Sequence, residues 1–257
     1  MQLFDSHCHL NFETFAEDRD KTIKRARDAG IKKFMLPGVC VGSDQELKRI
    51  TQDFSDCYFA LGLHPYFIDQ HCIEHVDTLQ QQVDKLLQDN NPNFKAIGEI
   101  GLDGTCDNME LQQQLLRQQL RLAKDRELPV ILHHRKTLDK TLKLVRESGP
   151  EKGVIHAFSG SYEQGKAWVE AGYYLGIGGT ITYPRAKKTR DAVARLPLSA
   201  MVLETDSPDM PVNGHQGERN EPLCLLNTLQ SLAKLKEISE PQVGERCFNN
   251  TLELFNL

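Results

Sequence analysis

The chain has 257 residues, 39% of them apolar, with 31 Lys and Arg against 36 Asp and Glu, a formal net charge of −5. A chain this long buries roughly 70–75% of its unfolded surface, which excludes a minidomain stapled by disulfides or metal, and its ordinary composition excludes disorder. The acidic balance excludes a general polycation for nucleic acid, so a phosphate-bearing partner must be met by local cations or by metal.

Short apolar segments, each closed by Gly, Pro, His or an acidic residue, alternate with amphipathic stretches along the whole length. The first strand, Leu3–Asp5, runs into Asp5-Ser6-His7-Cys8-His9 and is followed by a helical pattern over Glu17–Ala29. Strands then follow at Lys33–Leu36, Tyr58–Leu61, Ala96–Ile100, Val130–Leu132, Val154–His156, Tyr174–Ile177 and Met201–Leu203. Helices between them are expected at Asp44–Phe54, Val76–Asp89, Met109–Arg126, Leu138–Glu147, Tyr162–Ala171 and Ala186–Leu196, with Leu223–Lys236 and Gln242–Phe255 at the end. Gly30, Gly149 and Gly172 sit where helices stop and read as capping glycines. The Gln-rich stretch Leu111–Leu120 reads as a solvated helix face, and Trp168 as core.

Eight strands strictly alternating with helices imply parallel pairing by crossover and a closed (β/α)8 TIM barrel with extra C-terminal helices. An open doubly wound sheet is the alternative. No linker-like stretch or composition shift interrupts the chain, so residues 1–257 are expected to form a single domain. In such a barrel the chemistry belongs at the C-terminal ends of the strands.

The ionisable residues fall there. His7 and His9, two apart in an extended segment, project to one side and Cys8 to the other; they could share a cation or pair through hydrogen bonds. Glu99 lies in the apolar strand Ala96–Ile100, where an unpaired anion costs several kcal/mol after relaxation, so it must be protonated, paired or coordinated. Strands five and six both end in histidine, His133 and His156. His134 follows His133, and parity lets only one face inward; His133 closes the apolar run and is the one expected. Asp206 follows the eighth strand, which neighbours the first in a closed barrel. Four histidines and two carboxylates exceed the needs of one ion and point to two divalent cations, with Zn, Mg or Mn all compatible, and to hydrolysis.

These segments, DSHCHL, GLHPY, GEIGLD, PVILHHR, IHAFSG, GIGGTITYPRAKKTR and LETDSPDMP, resemble the TatD family of metal-dependent hydrolases and deoxyribonucleases, within the amidohydrolase superfamily. The resemblance spans essentially the full chain, with the motifs in the family's order. It implies metal ligation by His7, His9, Glu99 as the bridge, His133, His156 and Asp206, with Asp206 also the base that activates the attacking water. It further implies that His64 faces substrate; by position alone His64 could equally cap the Gly62–Pro65 turn. Glu204 is either a support for a ligand or a buried carboxylate without function.

After the seventh strand, Arg185, Lys187, Lys188 and Arg190 place four cations within six residues. Cations at a helix start oppose the helix dipole, so either a solvated helix start or an anion site accounts for them. Arg185, with Lys187 or Lys188, is expected to contact substrate phosphate, and Arg135 is a second candidate. The leading reading is a phosphodiesterase acting exonucleolytically on DNA; the others are a hydrolase of a small amide or ester, and a non-catalytic metal-occupied binding protein. Seven scattered cysteines without a CxxC pair suggest reduced thiols. With neither a leader-like N-terminus nor an apolar run of about 18 residues, a cytoplasmic protein without membrane association or obligatory protein partner is expected.

Overall fold

The computed structural model describes residues 1–257. The strands are β1 (Leu3–Asp5), β2 (Ile31–Pro37), β3 (Cys57–Leu61), β4 (Phe94–Asp103), β5 (Val130–Arg135), β6 (Gly153–Ile155), β7 (Tyr173–Ile177) and β8 (Met201–Leu203). The helices are α1 (Arg19–Asp28), α2 (Ser43–Asp53), α3 (His75–Gln88), α4 (Met109–Asp125), α5 (Leu138–Ser148), α6 (Tyr162–Glu170), α7 (Lys187–Arg195), α8 (Leu225–Lys236) and α9 (Glu240–Leu254). The eight strands form one sheet in chain order, β1 to β8. The Ser6 amide donates to the Leu203 carbonyl at 2.9 Å, which joins the end of β1 to β8 and gives the (β/α)8 barrel class. No helix is long and apolar enough to cross a membrane.

The chain divides into two compact units: Met1–Leu36, Ala157–Glu170 and Tyr174–Leu257 form the first, and Pro37–His156 with Ala171–Tyr173 the second. In the first, Phe4, Phe34, Leu175, Val202 and Leu203 are buried strand residues; in the second, Phe59, Ile97, Ile131, Leu132 and Ile155 are. Each such apolar side chain contributes about 1.5–3 kcal/mol on burial. Trp168 is buried, as expected of core.

Element boundaries depart from the sequence pattern where polar groups are used in ways that periodicity does not report. Helix α1 starts at Arg19 because the Asp18 carboxylate is taken by a two-armed ion pair with Arg219, at 2.7 and 2.8 Å. Helix α9 starts at Glu240, ahead of the apolar pattern, because Ser239 and Gln242 form a capping box and a proline occupies its first turn. Strand β4 continues past Gly101 to Asp103, since its ladder with β5 runs on through Gly101 opposite His133 and Asp103 opposite Arg135. Gly30 and Gly172 have the positive φ of helix-ending glycines, 102° and 86°. Gly149 does not; its φ is −83°, and its need for glycine comes from the Val145 carbonyl, 2.8 Å from where a Cβ would stand.

The Gln-rich segment of α4 corrects the sequence expectation. Gln112 and Gln119 are 1% and 0% exposed, and they share one face with Leu115, Leu116, Leu120 and Ala123. Gln119 accepts from the Leu63 amide at 2.8 Å and donates to the Leu63 carbonyl at 3.4 Å. Gln112 accepts from the Asp103 amide at 2.8 Å and donates to the carbonyls of Asp103 and Asp107 at 3.2 and 2.9 Å. Only Gln114 on this segment is exposed. Burying an amide is tolerable when all of its donors and acceptors are used.

Candidate metal centre

In the first unit, β1 ends at Asp5 and the chain continues through His7 and His9, both buried. Their Nε2 atoms face each other 3.2 Å apart. Asp206 Oδ1 stands 3.5 Å from His7 Nε2 and 3.7 Å from His9 Nε2. Backbone bonds fix this arrangement: the Asp206 amide donates to His7 carbonyl at 2.9 Å, and the His9 amide to Ser207 carbonyl at 2.7 Å. Asp206 has φ +60°, a left-handed conformation uncommon outside glycine and tolerated best by Asp and Asn. Cys8 is buried with Sγ 3.7 Å from the Met35 carbonyl, away from the ring pair.

Behind these residues Asp5 is fully buried. It accepts from the Thr205 hydroxyl at 2.6 Å and from the amides of Thr205 and His7 at 3.0 and 3.4 Å. Burial pushes its carboxyl up to about 8 despite those donors. Glu204, also buried, accepts from the Ala157 amide at 2.6 Å, directly after His156 in the chain. A methyl group on Gly176 would collide with the Glu204 carboxylate, so glycine is required there.

In the second unit Glu99 is 2% exposed and lies where the β4–β5 register shifts between Ile97 and Ile100. Its amide donates to the Gly38 carbonyl at 2.8 Å. Three imidazoles surround Oε1: His64 Nε2 at 3.0 Å, His133 Nδ1 at 3.1 Å and His156 Nε2 at 3.6 Å. Donor atoms of His64, Glu99 and His133 lie within 4.8 Å of one another. His64 Nδ1 accepts from the Tyr66 amide at 3.0 Å, so a neutral His64 carries its proton on Nε2 and donates it to Glu99. His64 both caps its turn and touches the buried carboxylate.

Asp103 is part of this cluster, and the sequence reading did not single it out. Its Oδ2 is 3.2 Å from His133 Nε2, and its Oδ1 accepts from the Thr105 amide at 2.8 Å and hydroxyl at 2.6 Å. Burial acts to raise the Asp103 carboxyl, but the donors from His133 and Thr105 hold it well below the ordinary carboxylate range. Burial likewise opposes charge on His133, yet Asp103 and Glu99 raise its pKa above the usual histidine value. The signal was available: Glu99, Gly101 and Asp103 alternate along one strand, so the parity argument made for His7 and His9 puts Asp103 on the side of Glu99. A methyl group on Gly101 would strike the His133 carbonyl, which explains the glycine between them.

Of the substrate-facing expectations, His64 is buried and the cationic ones fall on exposed residues. Arg185 lies over the Tyr183 ring at 4.8 Å, beside a hollow of about 270 Å³ lined by Thr180, Tyr183, Arg185, Ala186, Met210 and Pro211. Tyr183 hydroxyl donates to the Pro211 carbonyl at 2.7 Å, fixing the ring. Lys187 and Lys188 are exposed at the start of α7, whereas Arg190 turns inward to the Ile181 carbonyl. Arg135 is exposed at the end of β5.

The donor sets of both clusters fit divalent cations: imidazole nitrogens and carboxylate oxygens, buried and converging, without a lysine or arginine among the described ion pairs of Glu99 or Asp206. Comparison with known proteins agrees with the family resemblance. The chain is 41% identical over 259 residues to an uncharacterised metal-dependent hydrolase, YjjV, of Escherichia coli K12, covering 100% of this chain and 98% of that one. It is 31% identical over 265 residues to a 3′-5′ ssDNA/RNA exonuclease TatD of Erwinia billingiae, covering 99% of each. The crystal structure of YjjV, a TatD homologue from E. coli K12, superposes with a TM-score of 0.93 at 40% identity, covering 99% of this chain and 98% of that one. The model of TatD-related DNases matches residues 4–256, and the chain belongs to that family.

Proposed function

We propose that this protein is a metal-dependent phosphodiesterase that cleaves DNA exonucleolytically, acting as one catalytic domain. His7, His9, Glu99, His133, His156 and Asp206 would hold two divalent cations. The observation that carries the reading is the pair of His7 and His9 Nε2 atoms 3.2 Å apart with the Asp206 carboxylate beside both. Such an arrangement of acceptors is poorly accommodated without a cation or a proton between them.

The cations, when bound, would lower the pKa of water and polarise the scissile phosphodiester. Asp206 is the base, taking the proton of the attacking water on a carboxylate whose backbone is held by His7. His64 presents its Nε2–H towards Glu99 in the structure and would turn that donor to a substrate oxygen. Arg185, on its fixed Tyr183 ring, with Lys187 and Lys188 beside it, would take the phosphates flanking the cleaved bond. Arg135 is a further phosphate contact. The nuclease names carried by relatives support the nucleic-acid choice over a small amide or ester.

The test is to strip the protein with chelator and restore Mg, Mn and Zn singly. A 5′-labelled single-stranded oligonucleotide is then assayed beside simple phosphodiesters and a panel of amides. Metal-restored shortening of the oligonucleotide with inert amides is expected; amide cleavage with intact DNA overturns the assignment.

A further inference from the structure

His64 and His133 both touch Glu99 Oε1, but they offer it different nitrogens. A neutral imidazole carries one N–H and one lone pair. On His64 the lone pair is used at Nδ1 by the Tyr66 amide, which leaves Nε2–H facing Glu99. On His133 it is Nε2 that faces a second carboxylate, Asp103, and Nδ1 that faces Glu99.

Asp103 has little freedom. Thr105 occupies Oδ1 through both its amide and its hydroxyl, so Oδ2 is the oxygen left for His133. Gln112 of α4 pairs with the amide and carbonyl of Asp103 itself. The residue is 1% exposed. An ionised carboxylate can only accept; Glu99 Oε1 already receives the His64 Nε2–H, whereas Asp103 Oδ2 has His133 Nε2 facing it, so the His133 proton belongs on Nε2.

We propose that Asp103 is the positioning residue that makes His133 a ligand: it holds the ring in its Nε2–H tautomer and so leaves the Nδ1 lone pair, beside Glu99, for a divalent cation. The same logic separates the two histidines on Glu99. His133 presents a lone pair and can ligate through Nδ1; His64 presents N–H and cannot ligate through Nε2 while Tyr66 holds its Nδ1. The inference rests on the proposed metal centre for its consequence, and on the Asp103–Thr105–His133 geometry for its substance. A carboxylate behind a ligating imidazole fixes tautomer and orientation, and its loss weakens metal binding by about 10–100-fold.

Two measurements on the metal-free full chain test this. In a two-bond ¹H–¹⁵N correlation spectrum recorded at a pH where the ring is neutral, with His133 identified by its loss in His133→Gln, wild-type His133 is expected as the Nε2–H tautomer. In Asp103→Ala it is expected as a mixture. Titration with Co²⁺ alone against a competing chelator should then weaken by about 10–100-fold in Asp103→Ala, and by less in Asp103→Asn, whose amide oxygen can still accept. Asp103→Asn keeps the side-chain shape should the alanine variant fold poorly, and thermal unfolding of both is measured alongside. An Nδ1–H tautomer in the wild type, or Co²⁺ affinity within twofold of wild type in both variants, overturns the proposal. Wild-type protein that shows the Nε2–H tautomer but takes up no Co²⁺ overturns the metal centre instead.

Discussion

The two clusters of imidazole and carboxylate are built by different means. In the first unit, His7, His9 and Asp206 belong to chain that has already left the three-residue strands β1 and β8, and backbone bonds hold it. The side chains approach at 3.2–3.7 Å. In the second unit, Glu99, His133 and Asp103 lie on the long strands β4 and β5, and side-chain polar contacts of 3.0–3.2 Å link them in a line from His64 to Asp103. A site framed by backbone keeps its shape when one side chain is removed. A site framed by side chains passes the loss to its neighbours.

The largest expected effect sharpens this contrast. Asp206→Ala should lower hydrolysis by roughly 10²–10⁴-fold, the usual weight of a general base, while the second-unit residues keep their cation. Glu99→Ala should lose comparable rate and also lose bound metal, because the carboxylate at the centre of the second-unit cluster, beside His64 and His133, is gone. Metal content by mass spectrometry after desalting separates the two variants. Comparable turnover by either under saturating metal contradicts the assignment of roles.

The next effect falls on the scaffold of the second unit. Gln119→Leu leaves the Leu63 amide and carbonyl, next to His64, without their partner, and Gln112→Leu does the same to Asp103. Each orphaned buried group costs about 1–3 kcal/mol, so a loss of about 2–6 kcal/mol per variant is expected from urea unfolding. Gln114→Leu, at the exposed position, should stay within about 0.5 kcal/mol of wild type. Equal stability of all three would mean that the two buried amides do not brace the site.

These two glutamines mark where the sequence was legible and where it was not. The strand–helix alternation and the strand-end histidines were readable because burial and parity leave periodic traces. His7 and His9 stand two apart as an extended segment requires, and their Nε2 atoms do meet. Gln112 and Gln119 also left a trace, lying seven apart on the stripe of Leu115, Leu116 and Leu120, but residue type outweighed position in the reading. Asp103 lies beyond the apolar run Ala96–Ile100 that marks its strand, so it drew no role. The Asp18–Arg219 pair that delays α1 joins residues 201 apart, which no local pattern contains.

A smaller effect tests the backbone-framed side. Asp5 stands behind His7 with its carboxyl raised to about 8 by burial. An acid whose folded pKa is raised contributes stability that is full below its unfolded value, near 3.8, and is lost as pH rises through the folded one. Metal-free wild-type protein should therefore lose stability between pH 5 and 8.5, by a fraction of the limiting 1.4 kcal/mol per pH unit, or about 1–2 kcal/mol in all. Asp5→Asn should flatten that slope. Its amide oxygen can accept from the Thr205 and His7 amides, and its NH₂ can donate to the Thr205 hydroxyl, which in turn donates to Ser207 at 3.1 Å. Parallel slopes for wild type and variant, read from urea midpoints, would locate the pH dependence elsewhere.

The smallest effect lies outside both clusters, at Arg185. The side chain is exposed, so its interaction with a phosphate is screened by salt and worth about 1 kcal/mol. That corresponds to a rise in KM of about fivefold for an oligonucleotide in Arg185→Ala, with kcat nearly unchanged. A small phosphodiester, too short to reach the hollow beside Tyr183, should show no change. The dependence of log KM on log salt should fall by about one unit, as expected when one fewer phosphate is neutralised by the protein. Because Tyr183 is tied to Pro211, the ring stays in place when the guanidinium is removed, and the variant reports on charge rather than on loop collapse. Arg185→Lys keeps the charge but not the flat guanidinium over the ring, so an intermediate KM is expected there. An alanine variant with unchanged KM and salt dependence would break the assignment of this loop to the phosphate backbone and leave both clusters as they stand.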